Sequence, residues 1–161
     1  MTASSANDMA RVADLLKSFR FAMLTTVSSD GKLLARPMTV QESEFDGDLW
    51  FFAEKDSDQV AQVTRDHTAG VSLSSNNSWL SLAGTVAVVE DPAKVHELWS
   101  PSVEAWFPKG ESDPNVTLLK FTADSAEYWD SPGGTVSTLL SLVKSKLTGE
   151  RMPGENARIE V

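Results

Sequence analysis

The sequence predicts a mainly β domain, an antiparallel barrel of six to seven strands flanked by helices. Three observations predict it. Short β-rich runs follow one another from residue 21 onward, turn pairs such as Asp30-Gly31 and Asp46-Gly47 separate them, and helical patterns are few and brief. A parallel doubly wound sheet would instead alternate each strand with a long helix.

Each element has its own signal. Met9, Val12, Leu15, Leu16 and Phe19 recur at helical spacing, so residues from about Asn7 to Ser18 read as one amphipathic helix laid on a sheet. Phe21 to Val27, Leu33 to Phe45 and Leu49 to Ala53 then read as a three-stranded meander. Asp56 or Ser57 caps a short helix carrying Val60 and Val63. Ala69 to Ser74 and Trp79 to Val89 form a hairpin around the polar turn at Ser75 to Ser78. Asp91-Pro92 opens a helical insertion with Val95, Leu98 and Trp99, broken by Pro101 and Pro108. Val116 to Thr122 and Ala126 to Asp130 supply one or two final strands, and Leu139, Leu140, Leu142, Val143 and Leu147 describe a last helix. No repeat or linker divides the chain, which reads as one domain over 1–150 and a C-terminal tail over 151–161 with little reason to be ordered.

Composition narrows the function. The 161 residues fit one buried core, and 23 carboxylates against 14 Lys and Arg, a net charge of -9, argue against nucleic acid. With no cysteine, thiolate nucleophiles and zinc-thiolate sites are excluded, and His67 and His96 are the only imidazoles, so no metal site is expected. No stretch reaches membrane-spanning length and the N-terminal segment is polar, so the expected location is the cytoplasm.

Nucleophile elbows, phosphate-binding loops and dinucleotide fingerprints are absent. Three weaker constellations remain. Arg36-Pro37-Met38 places a guanidinium inside a strand, which suits either an anion such as a phosphate or an ordinary salt bridge on an edge strand that tolerates proline. The run from Phe51 to Gln59 is a strand ending in a helix start, where Ser57 and the free amides either receive a phosphate or simply cap the helix. Asp56 and Asp58 would repel such a phosphate unless they turn outward, with Arg36 and Lys55 to offset them. Five tryptophans, Trp50, Trp79, Trp99, Trp106 and Trp129, offer walls for a planar ring or pack the core.

In their order, Arg36-Pro37-Met38, the run from Phe45 to Phe52, Ala105-Trp106-Phe107-Pro108 and Glu127-Tyr128-Trp129-Asp130-Ser131-Pro132 resemble the bacterial general stress proteins of the pyridoxamine 5'-phosphate oxidase-like, FMN-binding split-barrel superfamily. The resemblance covers nearly the whole chain. It implies a split barrel that dimerises and binds FMN, with FAD as a variant. Arg36, Pro37, Met38, Thr39 and Gln41 would line the flavin along one strand; Phe52, Ala53, Ser57 and Gln59 would meet its ribityl phosphate end, and Trp129 would approach from the second subunit of a homodimer. Two departures stand out: Asp58 and Gln59 occupy positions where the oxidases carry basic residues, and Gln41 stands where they offer a lysine. Oxidation of pyridoxamine phosphate is therefore not carried over. The resemblance implies a flavin-dependent oxidoreductase of unknown substrate, or a flavin-binding module without turnover; a barrel using a deazaflavin, a haem or no cofactor is the third reading.

Overall fold

The computed structural model describes residues 3–130 and 155–161. Helix α1 (Ala3–Leu16) leads into strands β1 (Phe21–Val27), β2 (Leu33–Thr39) and β3 (Asp48–Glu54). Helix α2 (Asp58–Arg65) and strands β4 (Thr68–Ser74) and β5 (Ser78–Val89) follow. Helices α3 (Pro92–Leu98) and α4 (Pro101–Glu104) precede the long β6 (Val116–Asp130) and β7 (Glu155–Glu160). The expected helix between Leu139 and Leu147 lies outside the described residues.

All seven strands share one antiparallel sheet in the order β2-β1-β4-β5-β6-β3, with β7 on β6. The expected meander is therefore corrected: among the described residues β2 pairs with β1 alone, and β3 pairs with β6 from Asp48↔Thr122 to Glu54↔Val116. The reason lies in burial. Strand β3 and the first half of β6 are apolar on both faces, so they stabilise each other where both faces are covered, whereas β2 buries only part of one face. Pro37 also suits an edge, where its missing N–H leaves no ladder bond unmade. The run expected to continue to Phe45 leaves the sheet after Thr39, and the Asp46-Gly47 turn starts β3 without closing a hairpin, Gly47 taking φ 111°.

A second correction concerns the end of the chain. Residues expected as a loose tail contribute β7, registered on β6 from Ser125↔Glu160 to Asp130↔Glu155, and Ile159 is buried in the core. The two expected final strands are one continuous β6, which pairs with β5 along its length. It bends with β5 at a register shift between Ala83 and Gly84, where a Cβ on Gly84 would stand 2.0 Å from the Thr122 carbonyl oxygen; no other residue fits there.

Two cores result. The barrel interior holds Leu24, Phe51, Val71, Leu80, Leu82, Leu119 and Phe121, closed by α1 through Val12, Leu15 and Leu16. Outside the barrel, Val95, Leu98 and Val103 of the α3–α4 insertion cover Phe52, Val116 and Leu118. Since β2 and β3 end the strand path without pairing to each other, the barrel is split between them.

Candidate functional site

A groove of about 430 Å³ lies where β2 and β3 part. Pro37, Met38 and Thr39 of β2 and Gln41 just beyond it form one wall, Phe52 of β3 lies opposite, and Phe21, Val103, Trp106 and Phe107 complete it. The α3–α4 insertion sets the aromatic side: Phe52 meets Trp99 edge-on at 5.7 Å between centroids and Phe107 at 6.1 Å, a packed cluster that holds its shape. Gln41 is buried and donates its amide to the Thr39 carbonyl at 3.1 Å. Among the described residues no lining side chain is ionisable, so the groove suits an apolar, planar group with few polar atoms.

Beyond Met38 the site turns polar. Gln59, buried at the start of α2, sets its amide 3.6 Å from the Met38 sulfur and so ties the groove to this second region. Arg36 is half-buried beside it, and its Nη1 donates to the Thr26 hydroxyl at 3.3 Å and to the Gln62 carbonyl oxygen at 3.1 Å. The Thr26 hydroxyl donates in turn to that same Gln62 oxygen at 2.9 Å. Among the described residues Arg36 meets no carboxylate, so the salt-bridge alternative is not what this strand uses. Ser57 caps α2, its hydroxyl oxygen accepting from the Val60 amide at 3.3 Å.

The predicted residues divide accordingly. Pro37, Met38, Thr39, Gln41 and Phe52 line the groove; Gln59 touches its wall at Met38, while Arg36 and Ser57 stand outside the lining, Arg36 bonded to Gln62 one turn along α2 and Ser57 capping the same helix. Ala53 is packed into the barrel core. Trp129 is far from both, paired across strands with Trp79, roughly 35 Å along β6 from Leu118, the partner of Phe52. Of the two carboxylates at the helix start, Asp58 is exposed and Asp56 accepts from the Asn115 amide at 3.0 Å. Lys55 offers no compensation at the helix start, because Glu90 holds it at 3.0 Å.

Sequence reasoning missed Thr26 and Gln62. Both had a signal: Thr26 is a hydroxyl at an inward position of β1, diagonal to Arg36 in the register, and Gln62 follows Gln59 by one helical turn. It also missed the groove roles of Phe21, Val103, Trp106 and Phe107, which depend on how the insertion folds back.

Comparison with known proteins bears on the whole chain. The family model described as pyridoxamine 5'-phosphate oxidase like matches residues 7–153. A structure assigned to general stress protein 26 from Jannaschia sp. CCS1 is 31% identical, covers 97% of this chain and 99% of its own, and superposes with a TM-score of 0.80. The general stress FMN/FAD binding protein from Xanthomonas citri is 34% identical over 81% of this chain and 93% of its own, with a TM-score of 0.69. A Clostridium acetobutylicum protein related to general stress protein 26 shares the fold at 18% identity, with a TM-score of 0.72 over 96% of this chain and 95% of its own. No curated protein matches the sequence significantly.

Proposed function

This chain belongs to the pyridoxamine 5'-phosphate oxidase like family, and from that premise we propose that it binds a flavin nucleotide, FMN in the first place, in the split between β2 and β3. The observation that carries the proposal is Arg36, a half-buried cation held by two neutral acceptors at the end of an uncharged aromatic groove. Such a cation is stabilised by an anion, and a flavin nucleotide joins a planar ring to a phosphate, one chemistry for each region. The Asp58 and Gln59 amides, without a backbone acceptor among the described residues, and the Ser57 hydroxyl add donors at the same end. Met38, Thr39 and Gln41 would seat the ring against Phe52, and a bound flavin supplies the redox chemistry while the chain supplies position. The relative from Xanthomonas citri supports the cofactor class and leaves FAD a candidate.

The proposal includes a homodimer. By strand alternation the outward positions of β2, β1, β4 and β5 run Leu33, Ala35, Pro37; Phe21, Met23, Thr25, Val27; Thr68, Gly70, Ser72, Ser74; and Trp79, Ser81, Ala83, Thr85. Not one carries a charge, as in the core of a subunit interface. Phe21 and Pro37 belong to both this face and the groove, so a second copy seated on the face would close the flavin site, and Trp129 at its far rim would reach the other subunit's groove.

Calorimetric titration with FMN, FAD and riboflavin tests the assignment. FMN should bind, and Arg36→Ala should weaken FMN by about 1.5 to 3 kcal/mol while leaving riboflavin unchanged. Failure of folded protein to bind any of the three at high micromolar ligand would overturn it. A second reading, a flavin-holding protein without turnover, is favoured by the lack of any ionisable side chain among the described residues of the groove. Flavin reduction by a nicotinamide cofactor, followed by turnover, would decide for the oxidoreductase.

A further inference from the structure

We infer that Gln62 is the positioning residue that aims Arg36 at its phosphate, an inference that rests on the flavin reading above. A guanidinium has five N–H donors in a fixed plane. Nη1 alone serves the protein here, through Thr26 at 3.3 Å and Gln62 at 3.1 Å. Its Nε and Nη2 donors have no partner among the described residues, and this pair forms the edge that grips a phosphate through two parallel bonds.

The choice of partner matters as much as the geometry. A carboxylate at position 62 would hold Nη1 equally well but would neutralise the charge that the phosphate is to meet. A carboxamide orients the guanidinium and leaves its charge available. Gln62 can do so because its own oxygen is fixed from a second side by the hydroxyl of Thr26, which is fully buried and therefore cannot exchange this bond for water. The device also answers the loss of the basic pair after Ser57: with Asp58 and Gln59 at those positions, Arg36 is the side-chain cation that the described residues offer the phosphate, and its orientation then decides affinity.

The test is a double-mutant cycle read as the ratio of FMN to riboflavin affinity, with melting temperatures alongside. Gln62→Met keeps the volume and removes the acceptor; it should lower FMN affinity about three- to tenfold and leave riboflavin unmoved. In the Arg36→Ala background the same substitution should change the ratio less than twofold. Gln62→Glu, which retains an acceptor, should nevertheless lower FMN affinity about ten- to a hundredfold, because it pairs with the guanidinium. An unchanged ratio in both Gln62 variants overturns the inference, as does an equal loss for FMN and riboflavin accompanied by a large drop in melting temperature. An equal loss of ratio with and without Arg36 also overturns it, since Gln62 would then act on the phosphate by another route. If Arg36→Ala itself leaves the ratio unchanged, the phosphate reading fails first and takes this inference with it; a normal Arg36→Ala loss with inert Gln62 variants sinks the positioning role alone.

Discussion

The two outer faces of the barrel solve the same problem differently. Around β3 and β6 the outward side chains Phe52, Val116 and Leu118 are covered by the chain's own α3–α4 insertion. Around β2, β1, β4 and β5 the outward side chains are equally free of charge, yet Phe21 is 53%, Met23 39% and Leu33 74% exposed. Apolar surface left out of water's reach on one side and presented to it on the other teaches where self-sufficiency ends. The candidate groove lies at the seam between the covered face and the bare one, with Phe52 from the first and Phe21 and Pro37 from the second.

The comparison can be broken most forcefully on the covered side. Leu118→Ala removes a fully buried side chain from beneath the insertion and should cost about 3 kcal/mol of stability in urea unfolding, with no change of mass in solution. A loss below about 1 kcal/mol would mean that the insertion is loosely seated and the two faces are less different than drawn.

On the bare side the expected effect is on assembly. Thr25 lies at the middle of the face, opposite Ala35 on one strand and Gly70 on the other. In the proposed homodimer, light scattering should give the parent protein about 35 kDa, twice the 17.5 kDa chain, and Thr25→Arg should leave the fold intact but reduce that mass to one chain; a parent protein of 17.5 kDa would overturn the dimer itself. Flavin affinity should fall with it, because the groove would lose its second wall. A variant that keeps the larger mass would place the interface elsewhere.

The smallest effect sharpens the edge of the bare face. Asp30, in the β1–β2 turn, is held below the ordinary carboxylate range by the Lys32 ammonium first and the Ser28 hydroxyl second. A depressed carboxyl favours the fold above its unfolded pKa, and that contribution disappears as pH falls through the folded one. The turn is exposed, so the change in stability should be slight, but an NMR titration should find the Asp30 midpoint below that of an ordinary aspartate. A midpoint at or above the ordinary value would remove the Lys32 contact and with it the charged rim of this face.

How much of this was legible in the chain follows from the range of each interaction. Periodicity, turn pairs and capping residues act within a few positions, so the sequence by itself determined the helix under the barrel, the β4–β5 hairpin and a helix cap at Asp56 or Ser57, of which Ser57 serves; Pro37, Met38, Thr39 and Gln41 were singled out for the groove only by the family resemblance. It also placed Arg36 as a cation in a strand, there for an anion or a salt bridge. Which acceptor it meets was decided only by the tertiary structure, because Thr26 and Gln62 are brought to it by strand register and by the docking of α2, and those depend on the whole barrel closing. The same holds for β3, which left its sequence neighbour β2 for the distant β6, and for the last residues, which form a strand because β6 offers them a free edge. Burial on both faces outweighs proximity along the chain, and no local pattern records which distant partner will supply it.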